Sequence, residues 1–137
     1  MTAPALSSLT VGDVVAEAEF ALSRDSLVRY AGASGDFNPI HYRDDIAKEV
    51  GLPGVLAHGM LTMGIAVQPV IDWAGPARVT DYQVRFTRPV IVDPQDGAVL
   101  RVVAKVGAVD DAGYRIDLTV THSGVGVLGK AHVRVTR

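Results

Sequence analysis

Gly59-Met-Leu-Thr-Met-Gly-Ile-Ala-Val-Gln-Pro-Val-Ile-Asp-Trp73 is the most apolar stretch of the chain, and only Thr62, Gln68 and Asp72 within it are polar. Because a helix that is apolar nearly all round must be covered by protein, this stretch predicts a buried helix. At about 1.5 Å per residue it would be roughly 22 Å long, the width of a small domain and too short to span a membrane. Pro69 predicts a kink or the end of the regular helix, because proline lacks the backbone N–H.

Downstream of Gly75-Pro76 the spacing of apolar residues changes from a helical to a strand period. Apolar and polar residues alternate along four segments, which are residues 82–87, 101–106, 114–121 and 127–135. Such alternation is typical of antiparallel strands with one buried face. Turn-forming residues separate the strands at Asp93–Gly97, Asp110–Gly113 and Ser123–Gly124. Together with the apolar helix, the strands predict an α+β fold in which one antiparallel sheet wraps around one long buried helix.

Upstream of the apolar stretch the sequence predicts one strand and two short helices. The alternation Ala16-Glu-Ala-Glu-Phe20 predicts a strand within residues 11–22, at an edge of the sheet or partly exposed. Ser23 is a typical N-cap residue, so a short amphipathic helix is expected over residues 24–33. A second helix is expected over residues 43–50, because acidic residues favour its first turn and a glycine follows its end.

The composition argues against several classes of protein. A chain of 137 residues with 48% apolar and 20% charged residues can form one globular domain, expected over residues 1–137. The absence of cysteine excludes disulfide and thiolate chemistry, and the first residues lack the basic and apolar regions of a signal peptide, so a cytoplasmic protein is expected. A net charge of −2 and the lack of a long apolar run argue against nucleic-acid binding and against a membrane span.

The loop Gly35-Asp-Phe-Asn-Pro-Ile-His41 concentrates an acid, an amide and an imidazole in a stiff segment. Its proline restricts both itself and the residue before it, so the polar side chains are expected to form an ordered face. Asp36 and His41 are residue types that transfer protons near neutral pH. Two other interpretations stay open: a metal site with His58 as third ligand and no obvious fourth, and a structural loop in which Asp36 and Asn38 form Asx-turns.

Ala57-His58-Gly59 lies where the apolar helix begins. The first backbone N–H groups of a helix have no partner within it, and they carry the positive end of its dipole. Gly59 would let a carbonyl oxygen approach closely and be polarised as its α-carbon gains enolate character. An acid–base pair beside such a site can add water to a double bond conjugated to a thioester, or remove it, without a cofactor. His58 is expected either to contact the substrate or to pack against the loop.

These motifs resemble those of the MaoC-like (R)-specific enoyl-thioester hydratases. Residues 30–41 are similar to the hydratase-2 motif of that family, with the Gly-Asp-x-Asn-Pro-x-His pattern intact. Residues 57–60 and 84–90 are similar to recurrent segments of the family, so the resemblance covers nearly the whole chain. Within the family, residues 46–52 and 61–65 are similar to the catalytic B-type subunit of the actinobacterial (3R)-hydroxyacyl-carrier-protein dehydratases of type II fatty-acid synthesis.

The resemblance implies a hot-dog fold and the reversible hydration of trans-2-enoyl thioesters, or dehydration of (3R)-3-hydroxyacyl thioesters, of coenzyme A or acyl carrier protein. It implies that Asp36 and His41 are catalytic, that Asn38 supports the loop, and that the Gly59 N–H polarises the thioester carbonyl. It further implies no cofactor and no metal. A homodimer, or a heterodimer with a related hot-dog subunit, is expected from the resemblance and from the free edge of the predicted sheet.

Other residues are candidates for substrate binding. Tyr30 and Met60 are expected either to line an acyl tunnel or to belong to the core. Arg85 and Arg88 are expected either to contact the phosphates of coenzyme A or phosphopantetheine or to lie on a solvated strand face. Two alternative functions stay open. One is a thioesterase on the same fold, for which the helix offers only Asp72 as a carboxylate, and the other is a non-catalytic subunit that binds the acyl thioester and shapes a partner's channel.

Overall fold

The structure, a computed structural model, describes residues 3–137. Residues 1 and 2 lie outside the described residues, although the predicted domain and the N-terminal stretch expected to lack a signal peptide both include them. Within residues 3–137, six strands form one sheet: β1 (Val14–Leu22), β2 (Val79–Phe86), β3 (Ala98–Val109), β4 (Gly113–His122), β5 (Val125–Gly126) and β6 (Leu128–Thr136). Four α-helices accompany them: α1 (Arg24–Ser34), α2 (Asp44–Glu49), α3 (Gly59–Ala66) and α4 (Gln68–Ala74). None of these helices is long and apolar enough to cross a membrane.

The sheet is antiparallel throughout, as the alternating segments predict. Its strands lie in the order β1–β3–β4–β6–β2, and the two-residue β5 pairs with β4. β1 and β2 therefore form the two edges, which confirms the edge position expected for the first strand. Buried residues occupy every second position of β3 and β4: Leu100, Val102, Ala104, Val106, Tyr114, Ile116, Leu118 and Val120. Since α4 packs against β1 and β3, the predicted architecture of a sheet around an apolar helix is confirmed.

The helices before the apolar stretch begin and end close to the predicted residues. Ser23 caps α1, because its Oγ accepts a hydrogen bond from the N–H of Ser26 at 3.3 Å and Ser26 Oγ accepts one from the N–H of Ser23 at 3.0 Å. Gly35 ends α1 with φ of 78°, a left-handed conformation that glycine adopts with little strain. α2 carries Asp44 and Asp45 in its first turn, where the helix dipole favours carboxylates.

The long apolar helix is divided in two at Val67. α3 ends at Ala66 and α4 begins at Gln68 with Pro69 in its first turn, so the predicted effect of the proline is confirmed. Burial of this stretch is less complete than the sequence predicts, because the Met60 side chain at the start of α3 is 59% exposed. One side of the apolar helix is thus left open by a single chain.

Phe86 departs from the predicted strand face. The alternation predicts one buried side for Tyr82, Val84 and Phe86; the first two pack against the core, whereas Phe86 is 54% exposed. The pairing of β2 with β6 shifts register within residues 83–85, and such a bulge redirects the side chains that follow it. The Phe86 ring instead lies against Gly59, since a Cβ on that glycine would be 3.1 Å from Phe86 Cε1.

Candidate active site

The polar loop between α1 and α2 is held by short-range hydrogen bonds. Asp36 Oδ1 accepts a hydrogen bond from the N–H of Asn38 at 3.1 Å, and Asn38 Oδ1 accepts one from the N–H of Ile40 at 3.2 Å. These bonds are the Asx-turns of the structural interpretation. Residues 39–41 then form a single 3₁₀ turn, and this turn carries His41 into the interior, where it is 7% exposed. Asn38 therefore shapes the loop, while Asp36 Oδ2 and the His41 ring are left to face each other.

The orientation of the His41 ring and the position of its proton are both fixed. Its Nδ1 lies 2.7 Å from the carbonyl oxygen of Leu56. Since a carbonyl oxygen can only accept a hydrogen bond, Nδ1 carries the proton and Nε2 of the neutral ring does not. Nε2 faces Asp36 Oδ2 at 3.8 Å, which is too long for a direct hydrogen bond. A water molecule or a substrate hydroxyl group can therefore bridge the two atoms.

Access to this pair is from the side of Asp36. The Asp36 side chain is 52% exposed and the His41 side chain 8% exposed. An exposed carboxylate next to a buried imidazole gives a site that a ligand can enter and that keeps its base in a fixed position. This arrangement suits general acid–base chemistry, in which the group that moves the proton must lie within hydrogen-bond reach of the substrate.

His58 lies against the back of the pair and is 1% exposed. Its ring stacks on that of His41 with centroids 3.8 Å apart, and the Tyr30 ring meets it edge-on at 4.8 Å. Its Nε2 donates a hydrogen bond to the backbone carbonyl of Asp36 at 3.1 Å, whereas its Nδ1 has no partner among residues 3–137. Burial lowers the pKa of the His58 imidazole, and the charge of a protonated His41 lowers it further, although Asp36 acts in the opposite direction. These contacts are those of a residue that packs against the loop, the second of its two expected roles.

A metal ion does not fit both histidines as they are placed. Asp36, His41 and His58 offer ligand atoms within 4.8 Å of one another, as the metal interpretation requires. The two rings, however, are stacked with an angle of 22° between their planes. A metal ion lies in the plane of each imidazole that binds it, about 2.0–2.1 Å from the nitrogen. Two stacked, nearly parallel planes do not meet so close to both rings, so one ring would have to rotate before both could bind one ion.

The N-terminus of α3 is open. The N–H groups of Leu61 and Thr62 donate to the carbonyl oxygen of His58 at 3.0 and 3.2 Å, whereas those of Gly59 and Met60 have no hydrogen-bond partner within residues 3–137. Unpaired N–H groups at a helix N-terminus, together with the helix dipole, favour a partly negative oxygen. The position expected for a substrate carbonyl thus retains two free donors.

A cavity of about 330 Å³ adjoins this helix end, and it is lined by Gly59, Thr62, Phe86, Thr87, Arg88 and apolar side chains. Arg88 Nη1 also donates a hydrogen bond to the carbonyl oxygen of Gly126 at 3.1 Å. The cavity combines an apolar wall with a few polar groups, a composition typical of ligand sites. Neither Thr62 nor Phe86 was among the candidates from sequence, because nothing in a strand or helix period indicates which residues will border a helix end.

The structure separates the remaining candidates. Met60 lies on the exposed side of α3 next to Gly59. Arg85 is on the exposed side of the edge strand β2, opposite Gly129, and has no hydrogen bond or ion pair with the residues of the site. Asp72 on α4 borders a different groove, beside β1, so it is not placed to serve a thioesterase at the start of α3.

An ion pair that no motif predicted joins the elements around the site. Arg24 donates to Asp44 through both terminal nitrogens, at 3.1 and 3.0 Å, and to the carbonyl oxygen of Val92 through Nε at 2.6 Å. Asp44 Oδ1 also accepts a hydrogen bond from the N–H of Val55 at 3.1 Å. The Arg24 guanidinium, and then the Val55 N–H, hold the pKa of Asp44 below its usual value. These bonds tie α1 and α2 to each other and to the paired segments 55–57 and 90–92, the first of which leads into His58.

An antiparallel sheet of this topology around its apolar helix is the hot-dog fold, and here the fold carries a paired carboxylate and imidazole next to the helix start. The chain belongs to the family described as MaoC like domain, whose model matches residues 8–126. A solved structure of a MaoC-like dehydratase is 40% identical, and the match covers 98% of this chain and 42% of that one with a TM-score of 0.91.

Two further proteins are similar over most of the chain. The 3-hydroxyacyl-thioester dehydratase X of Mycobacterium tuberculosis is 39% identical over 98 residues, which are 72% of this chain and 31% of that protein. The unliganded R-hydratase PhaJ1 from Pseudomonas aeruginosa is 28% identical, with 96% of this chain and 85% of that chain covered and a TM-score of 0.77. The chain thus spans about a third of the length of the mycobacterial relative.

Proposed function

We propose that this chain catalyses the reversible addition of water to trans-2-enoyl thioesters, giving (3R)-3-hydroxyacyl thioesters of coenzyme A or acyl carrier protein. The observation that carries the proposal is the 3.8 Å gap between His41 Nε2 and Asp36 Oδ2, which a water molecule can bridge. The names of the two relatives, a 3-hydroxyacyl-thioester dehydratase and an R-hydratase, support this class of reaction and the configuration of its product.

In the hydration direction, the bridging water attacks C3 of the enoyl group while the Asp36–His41 pair takes up one of its protons. The pair delivers a proton to C2, so that both parts of the water molecule end on the substrate and the pair regains its starting protonation state. The hydrogen bond from Nδ1 to Leu56 keeps Nε2 as the proton acceptor. Dehydration follows the same steps in reverse, and neither direction requires a cofactor.

The thioester carbonyl is expected to bind at the start of α3. Negative charge develops on its oxygen as C2 becomes enolate-like, and the free N–H groups of Gly59 and Met60 are fixed donors for that charge. Arg88, at the border of the adjoining cavity, is the better placed of the two candidate arginines to contact the phosphates of the carrier. His58 supports the pair from behind and Tyr30 contacts His58, so neither is required to touch the substrate.

Residues 1–137 are proposed to act as one domain that pairs with a second hot-dog subunit, either a copy of itself or a related chain. The unpaired edge of β2 and the exposed Met60 and Phe86 side chains support this assembly. A second subunit along β2 would cover the side of α3 that a single chain leaves open.

The test is the loss of ultraviolet absorbance of a short trans-2-enoyl-CoA in the presence of the purified chain. Asp36→Asn and His41→Ala are each expected to lower kcat by about 10²–10⁴-fold, because each removes one half of the proton-transfer pair. His132→Gln, which changes a histidine on β6 outside the site, is the matched control. Thermal unfolding of all four proteins establishes that the variants fold.

Three outcomes would contradict this assignment. Activity that survives both substitutions would remove the pair from the mechanism. Release of a free thiol from the substrate would identify a thioesterase. If the chain is active only with a partner subunit, the same variants are assayed in that complex; full activity of the complex with Asp36→Asn would identify this chain as the non-catalytic subunit.

A further inference from the structure

His58 is a buried titratable group that transfers no proton in the proposed reaction. It contacts both members of the pair in different ways, through a hydrogen bond to the Asp36 backbone at 3.1 Å and through a ring stack with His41 at 3.8 Å. It occupies the N-cap position of α3, yet its side chain caps no helical N–H group. Its side chain therefore bonds the loop and not the helix that begins beside it.

The hydrogen bonds of His58 favour one protonation state. The carbonyl oxygen of Asp36 can only accept, so Nε2 carries a proton. Protonation of Nδ1 as well would leave a charged N–H group buried with no acceptor among residues 3–137, and an unpaired buried charge is strongly unfavourable. The side chains that face His58 are His41 from the 3₁₀ turn, Asp36 from the loop and Tyr30 from α1. Of these only Asp36 brings a negative charge, and it bonds His58 through its backbone.

We propose that His58 is a positioning residue that remains neutral throughout the reaction and holds Asp36 by its carbonyl group and His41 by its ring face. The proposal rests on the proposed hydratase function and adds a role for a residue that does not touch the reacting atoms. A neutral ring in the stack is needed because His41 must itself become positively charged when it accepts a proton. A charged His58 at 3.8 Å would oppose that step by like-charge repulsion.

Two substitutions separate the two contacts. His58→Gln retains an amide nitrogen at the position of Nε2 and can keep the bond to Asp36, whereas His58→Phe retains a ring that can stack on His41 and loses the bond. We expect kcat to fall about 10–100-fold in His58→Phe, as for other residues that orient a reacting group, with KM within about threefold of the parent value. His58→Gln is expected to recover part of that loss, and His132→Gln again serves as the control.

The pH dependence of kcat distinguishes positioning from proton transfer. If His58 only positions the pair, the pH profile of His58→Phe keeps both limbs of the parent profile at a lower rate. Loss of one limb in both variants would show that His58 carries a proton in the reaction and would overturn the proposal. A rise in KM with unchanged kcat would do so as well, because it would make His58 a substrate-binding residue.

The neutral state also has a signature that does not depend on activity. Because burial lowers the pKa of His58 below its usual 6.5, the unfolded chain binds a proton more readily than the folded chain as pH falls below that value. The parent protein should therefore lose stability more steeply than His58→Gln as pH falls from about 6.5 to 5.5, measured by urea unfolding. Equal slopes would contradict a neutral His58, even if the enzyme assay had failed for every substrate tried and the proposed function itself were wrong.

Discussion

The lack of a side chain at Gly59 keeps the start of α3 open, and one added methyl group would obstruct it. A Cβ there would lie 3.1, 3.2 and 3.4 Å from three atoms of the Phe86 ring. Because Phe86 is 54% exposed, its ring can move by the few tenths of an ångström that such a contact requires. The substitution should therefore change access to the N–H groups of α3 more than it changes the fold.

We expect Gly59→Ala to lower kcat about tenfold or more, because a carbonyl oxygen displaced from the helix start loses preorganised donors. Gly64→Ala in the same helix is the matched control, since a Cβ at Gly64 meets nothing within 4 Å. That control should leave kcat unchanged and raise the free energy of unfolding by roughly 0.5–1 kcal/mol, the usual gain for alanine over glycine in a helix. Unchanged kcat in Gly59→Ala would remove the helix start from the proposed mechanism.

The side chains of the candidate site were easier to recognise in the sequence than the groups that orient them. Asp36, Asn38 and His41 stand out because a proline holds them in one short polar loop. The acceptor that sets the proton of His41 is the backbone carbonyl of Leu56, and every residue has such a carbonyl. Residue type therefore indicates which groups can do chemistry, whereas contacts between distant backbone segments determine which protonation form they adopt.

Among the elements, α1 and α2 are joined by an ion pair that links residues 20 positions apart. The Arg24–Asp44 pair is partly buried and bidentate, and both partners also bond the paired segments 55–57 and 90–92. Acidic residues in the first turn of α2 were expected from the helix dipole alone. Periodicity predicted where these helices begin and end, because local spacing decides that. It could not predict Asp44 as a long-range tie, nor the register shift that turns Phe86 outward.

Asp44→Asn should lower the free energy of unfolding by about 1 kcal/mol at neutral pH, a modest value because water screens a partly exposed pair. Asp45→Asn is the control, since Asp45 pairs with Arg43 at a well-exposed position.

The pKa of Asp44 is lowered from 3.8 in the folded chain, so its stabilisation is complete above that value and is lost as pH falls through the lower folded-state pKa. The melting temperatures of parent and Asp44→Asn should thus converge below about pH 3.8. A constant difference down to pH 2 would contradict this assignment.

At the scale of the whole molecule, the two edge strands of the sheet differ in how well they could pair with a second chain. β1 places Glu17 and Glu19 on its exposed positions, and two copies joined along β1 would bring these charges together. β2 ends beside the exposed apolar side chains of Met60 and Phe86. The same edge borders the open start of α3. The exposed apolar surface that a partner would cover therefore lies next to the candidate site.

The chain is therefore expected to associate through β2, at a mass of about twice the 14.5 kDa of one chain, or as one copy bound to a related subunit. Gln83→Lys adds a positive charge to β2 beside Arg85 and should weaken that association, because symmetric pairing of edge strands brings like charges together. Val14→Lys places the same charge on the opposite edge, where Val14 is 40% exposed, and should leave the mass unchanged. Light scattering after gel filtration measures the mass, and dilution tests whether activity falls as the complex dissociates. A monomer with full activity at every concentration would show that the open side of α3 needs no second subunit, and that one chain alone holds the substrate between its loop and its helix.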